Sequence, residues 1–119
     1  MEDEPDLIQV MELALRRGGF DVVVAKSGAQ AVQTALSRPI DVVMVDRGLP
    51  DMDGTVATAQ MRAGGYRGGI LVTSGHSGPE HVDACRAAGA DDVLDKPFAL
   101  SELVDRVAQL LGAPEAVGA

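Results

Sequence analysis

Asp46 closes the apolar run Val42-Val43-Met44-Val45, and Lys96 follows a shorter run, Asp92-Val93-Leu94-Asp95, with Pro97 next to it. Between them Thr73 and Ser74 close a third run, Ile70-Leu71-Val72, while Glu2 and Asp3 stand at the start of the chain ahead of a helical pattern. A nucleophilic carboxylate, a hydroxyl, an ammonium and an acidic pair form a set suited to handling a phosphoryl group. Three carboxylates brought together repel one another unless a cation joins them. Mg²⁺ is the natural one, a hard ion that takes oxygen ligands and keeps several waters. Such a site neutralises the equatorial oxygens of a transferring phosphoryl group, with Lys96 and the Thr73 hydroxyl or loop amides as further partners. Asp46 is then the candidate nucleophile for an aspartyl phosphate.

Each residue also has a plainer reading. Asp46 could merely start a turn, Glu2 and Asp3 could be solvated terminal charge, and Thr73 or Ser74 could cap a loop. Lys96 could be a surface lysine, although the chain has only two, the other being Lys26. Asp51 and Asp53 lie in Pro50-Asp51-Met52-Asp53-Gly54, a turn composition, and read as turn residues. His76 and His81 read as exposed loop and helix residues, and Cys85 as a small packed residue. The joint placement at successive run ends argues for chemistry more than any single position does.

The elements that must position these groups alternate along the chain. Residues 22–25, 41–46 and 70–73 are continuous β-branched or aliphatic runs, with 92–95 a weaker one, as expected of parallel strands covered on both faces. Leu7, Met11 and Leu15, with Val10 and Ala14, form a helical stripe behind a capping box at Asp6 and Gln9, ended by Gly18-Gly19. Ser27 and Gln30 repeat that signature, and Pro39 stops the second helix. Further helices are expected over 55–63, from Pro79 to Ala88, and over 100–111. The alternation implies right-handed crossovers and one parallel sheet, with ligands outside the carboxyl ends of its strands.

The 119 residues suit one domain, 1–111, with 112–119 as a flexible tail or linker stub. A net charge of −8 and 3% aromatic residues disfavour direct nucleic-acid binding. The single cysteine excludes an internal disulfide and suits a reducing cytosol, so a cytoplasmic location is expected. No apolar run is long enough to span a membrane, and the acidic start is unlike a secretory signal.

The segments Met1-Glu2-Asp3-Glu4-Pro5, Val42-Val43-Met44-Val45-Asp46, Leu49-Pro50-Asp51-Met52-Asp53-Gly54, Leu71-Val72-Thr73-Ser74-Gly75 and the stretch 89–98 resemble, in order, a response-regulator receiver domain of two-component signalling. The resemblance covers residues 1–111. It implies a three-layer α/β/α doubly wound parallel sheet of flavodoxin-like order 2-1-3-4-5. It makes Asp46 the phosphoacceptor, taking a phosphoryl group from a histidine kinase or a phosphotransfer protein. Glu2, Asp3, Asp46 and the Gly48 carbonyl would hold Mg²⁺ or Mn²⁺. Thr73 would be the switch hydroxyl, Lys96 the phosphoryl partner, and Lys96–Pro97 a cis peptide. The domain is then a signalling phosphoacceptor and no enzyme, with a short-lived phosphorylated state because Gly48 leaves room for water.

Three departures stand out. Val93 replaces the aromatic residue that swings inward in the family, which leaves the route to the output surface open. Arg47, next to Asp46, is either a solvated charge or one that reaches acidic groups nearby. The first strand is largely missing. In the order 2-1-3-4-5 that strand is central, and its loss would leave its neighbours' backbone groups unpaired at about 1–3 kcal/mol each when buried. The expected resolution is a sequence that starts late; direct pairing of the neighbours and a strand from another chain are the others. Two rival functions remain. A degenerate receiver would act as a phosphate-independent docking module. A dehalogenase-like phosphatase would need a second acid two residues after Asp46, where Gly48 stands. Asp92, Glu102, Asp105 and Arg106 mark a face for a homodimer or for solvated charge. The chain is either a stand-alone receiver or part of a longer regulator or hybrid kinase, with an unknown effector or output domain.

Overall fold

In the computed structural model, the described residues are 5–25, 27–75 and 79–111, with residues 5–8 and Pro79 described by their backbone alone. The elements are α1 (Pro5–Arg17), α2 (Gly28–Ser37), β1 (Val42–Asp46), α3 (Gly54–Ala63), β2 (Gly69–Ser74), α4 (Pro79–Ala88), β3 (Asp92–Asp95) and α5 (Leu100–Leu110). The five expected helices all form. α1 begins at Pro5, so Asp6 is the second residue of the helix and not the N-cap that the expected capping box requires. A proline suits that first position, where an N–H would have no helical partner. Ser27 caps α2 as expected, accepting from the Gln30 amide at 3.1 Å.

The sheet is parallel and ordered β1-β2-β3. These strands are the third, fourth and fifth of the order 2-1-3-4-5. Residues 22–25 were expected to be a strand and are not. The physical reason is the lack of a ladder: with no hydrogen-bonded neighbour strand among the described residues, a β-branched run has no cross-strand pairing to hold it as a strand. Instead Val23 is exposed, and the Val22 carbonyl accepts from Arg16 Nη2 at 2.9 Å. β1 accordingly has a partner strand on one side only among the described residues.

Alternation along the strands divides the core into two layers. Val45, Ile70 and Val72 face α2, α3 and α4, packing with Ala35, Ala57, Met61 and Cys85. Val42, Met44, Leu71 and Leu94 face α1 and α5, packing with Met11, Leu15, Leu103 and Val107. The end of the sheet away from Asp46 is fastened by Arg62. Its guanidinium donates to the carbonyls of Gly89 (3.0 Å), Tyr66 (2.9 Å) and Gly68 (2.7 Å) and to Asp91 Oδ2 (2.9 Å). That same carboxylate oxygen accepts from the Ile70 amide at 2.9 Å, tying the start of β2 to the turn before β3.

Candidate functional site

Parallel strands deliver their last residues to one edge of the sheet, and the side chains singled out above meet there. Asp46 ends β1, and its Oδ2 accepts from Lys96 Nζ at 2.7 Å. Its Oδ1 accepts from the Gly48 amide at 2.9 Å, the turn bond that starts the loop toward α3. Asp46 and Lys96 side chains are 23% and 16% exposed, so the pair is open to a reactant yet partly shielded from water. Lys96 reaches Asp46 because its own amide donates to the Ser74 carbonyl at 2.7 Å, extending the pairing of β3 with β2. The Lys96–Pro97 bond is cis.

Thr73 lies opposite Asp46 in the ladder, and its carbonyl accepts from the Arg47 amide at 2.9 Å. Its side chain alternates with that of Leu71, toward the α1/α5 layer. Ser74 alternates with Ile70 and Val72 toward the α3/α4 layer, where Val93 is packed. The hydroxyl on the same side as Val93 is therefore Ser74, which the sequence reading noted without giving it a role. Counting the two-residue period from Ile70 and Val72 is the signal that distinguishes the two.

Glu2, Asp3 and His76 lie outside the described residues, as do Lys26 and the tail 112–119. Among the described residues no group of three or more His, Cys, Asp or Glu side chains is placed to hold a metal ion. The Asp46 carboxylate and the Gly48 carbonyl are hard oxygen donors, so the part of the expected set that is described has the donor chemistry of Mg²⁺ or Mn²⁺.

The acidic pair in the turn does more than turn the chain. Asp51 accepts from the Gly28 and Ala29 amides at 2.7 and 3.0 Å, closing the N-terminus of α2 from 23 residues away. Those backbone bonds hold its carboxyl below the usual carboxylate range. Asp53 caps α3, accepting from the Thr55 amide at 2.9 Å. Burial pushes its carboxyl up, but the bonds from Thr55 and Arg47 outweigh it and the net direction is down.

Arg47 is not a solvated charge. Its Nε donates to both Asp53 oxygens at 3.2 Å, and its Nη1 bonds His81 Nδ1. His81 was expected to be exposed on its helix, but it is 7% exposed, because α4 turns this face toward Arg47 and the core. Its ring also lies 3.9 Å from Cys85 Sγ. Cys85 is fully buried, as expected of a small packed residue, and burial raises its thiol pKa. On the opposite flank, Arg106 Nη1 donates to Asp92 Oδ2 at 2.8 Å and Nη2 lies 3.5 Å from Glu102, so this charged group is paired within the chain.

Comparison with known proteins bears on the family and the fold. Residues 1–108 match the response regulator receiver domain family. The chain is 37% identical over 111 residues to the transcriptional regulatory protein PrrA of Mycobacterium bovis, covering 93% of this chain and 48% of that protein. It is 34% identical over 107 residues to the transcriptional regulatory protein KdpE of Mycobacterium tuberculosis, covering 90% and 47%. The chain thus spans about half the length of these curated relatives. Among solved structures it is similar to the receiver domain of a Pseudomonas aeruginosa sensor histidine kinase, described with a magnesium ion coordinated in the active-site cleft. That match has a TM-score of 0.83 and 32% identity, and covers 94% of this chain and 93% of the other. A Francisella response-regulator receiver domain gives a TM-score of 0.87 at 26% identity, covering 94% and 93%.

Proposed function

Because the chain belongs to the response regulator receiver domain family, we propose that Asp46 accepts a phosphoryl group from a phosphohistidine on a sensor kinase or phosphotransfer protein. A carboxylate oxygen of Asp46 attacks phosphorus. The P–N bond of the donor breaks, its electron pair returns to the imidazole, and a P–O bond to Asp46 forms. A divalent ion, when bound by Asp46, the Gly48 carbonyl, Glu2 and Asp3, supplies charge neutralisation for the phosphoryl oxygens. The ammonium of Lys96 begins as the partner of the Asp46 carboxylate and then offsets the added phosphoryl charge without a change of place. The Ser74 or Thr73 hydroxyl supplies a donor from the neighbouring strand.

The observation that carries this reading is the 2.7 Å contact between Asp46 and Lys96, two residues far apart in sequence, at the carboxyl edge of a parallel sheet. The experiment is incubation of the purified chain with labelled acetyl phosphate and Mg²⁺. Wild type is expected to take up label and Asp46→Asn to take up none; an unlabelled wild-type chain would remove the reading. One feature favours a second reading, a docking module that works without phosphorylation. Val93 occupies the place of a mobile aromatic ring and is packed against the α3/α4 core. A chain of that kind would bind its partner equally well as Asp46→Asn.

A further inference from the structure

Arg47 is the point at which four elements join. Its amide donates to the last residues of β2 through the Thr73 carbonyl at 2.9 Å, and its carbonyl accepts from the Gly54 amide at 2.8 Å, fixing the start of α3. Its guanidinium is bonded to the α3 cap Asp53 and, on the far side, to His81 in the first turns of α4. The packing around this residue is tight. A Cβ on Gly54 would lie 2.7 Å from the Asp46 carbonyl oxygen and 2.8 Å from Arg47 Cα, so the backbone of residues 46 and 47 is pressed against α3. Arg47 thus sits beside Asp46 in the chain, packed against α3 and bonded to α4. Arginine only donates hydrogen bonds, so the His81 Nδ1 meets it as an acceptor.

Val93 is a β-branched side chain with a single stiff torsion, lodged against the same core layer, and it offers no large motion to relay a signal. We propose that the Arg47–His81 contact is the link through which occupancy of the Asp46 site is communicated to α4. Arg47 and His81 are positioning residues in this account, and the account rests on Asp46 being the phosphoacceptor. The partner that reads the signal would do so on the outer face of α4.

Cys85 supplies the readout. It is the only cysteine in the chain, fully buried on the α4 face beneath His81, so its reaction rate with an aryl disulfide reagent reports opening of α4. Beryllofluoride with Mg²⁺ serves as the phosphoryl mimic, with its binding followed separately by fluorine NMR. In wild type, beryllofluoride is expected to change the Cys85 rate about fivefold or more. In Arg47→Met and His81→Phe, beryllofluoride still binds, but the change falls below about twofold, a loss of coupling rather than of binding. His81→Asn, which keeps an acceptor near the Nδ1 position, retains the response. If wild type binds the mimic and Cys85 does not respond, or if both coupling variants respond as wild type does, the link is overturned. If wild type does not bind the mimic at all, the phosphoacceptor reading fails and the link falls with it.

Discussion

A carboxylate and an ammonium held at 2.7 Å resolve an electrostatic problem before any reactant arrives. Asp46 sits at an edge where further acids are expected, and Lys96 offsets its charge while leaving it open enough to react. Asp51 solves a different problem. Its depressed pKa means that its ionised form is bound more strongly in the folded chain than in the unfolded one, so it contributes stability above the unfolded value near 3.8. That contribution is lost as pH falls from there through the lower folded value. Asp51→Asn is expected to melt below wild type at neutral pH, with the gap narrowing in strong acid; thermal denaturation followed by circular dichroism checks this. Asp46 and Lys96 were legible in the sequence because each ends an apolar run, and the ends of parallel runs share one edge. The partnerships of Asp51 with α2 and of Arg47 with His81 were not. They join segments 23 and 34 residues apart, and no local pattern encodes them.

The helices were legible from their apolar stripes and caps, because the residues that make each stripe are neighbours in sequence. The expected strand at 22–25 failed for the complementary reason: a strand exists only where a neighbour completes its ladder, which its own composition cannot specify. Between these elements the tightest junction is α3 against the end of β1. The atoms that a Cβ on Gly54 would meet within 3.0 Å include the backbone of residues 46 and 47, which cannot swing aside as a long side chain can. Gly54→Ala is expected to cost about 1–3 kcal/mol in urea denaturation, as overpacking does. It is also expected to slow label uptake by Asp46, since the same shift moves the carboxylate proposed as the acceptor. Gly28→Ala is a useful contrast, because its added Cβ meets chiefly the flexible end of Met52.

Taken whole, the molecule is a sheet with a core on each face, and the protection of its strands should follow their place in that sheet. β2 is paired on both sides and four of its residues, Ile70, Leu71, Val72 and Ser74, are at most 1% exposed. Its amides are expected to exchange with deuterium more slowly than those of β1, which mass-resolved exchange at neutral pH would read directly. Faster exchange in β2 than in β1 would contradict this arrangement. Among the described residues β1 is paired along one flank only, which bears on how concentrated solutions behave. Val42-Val43-Met44-Val45 is short, apolar and rich in β-branched side chains, the makeup of a segment that recruits like segments into fibres. Asp41 precedes it as a negative gatekeeper, and the overall charge of −8 opposes association of copies. Salt, which screens that repulsion, should then be the condition under which concentrated solutions of the chain turn cloudy.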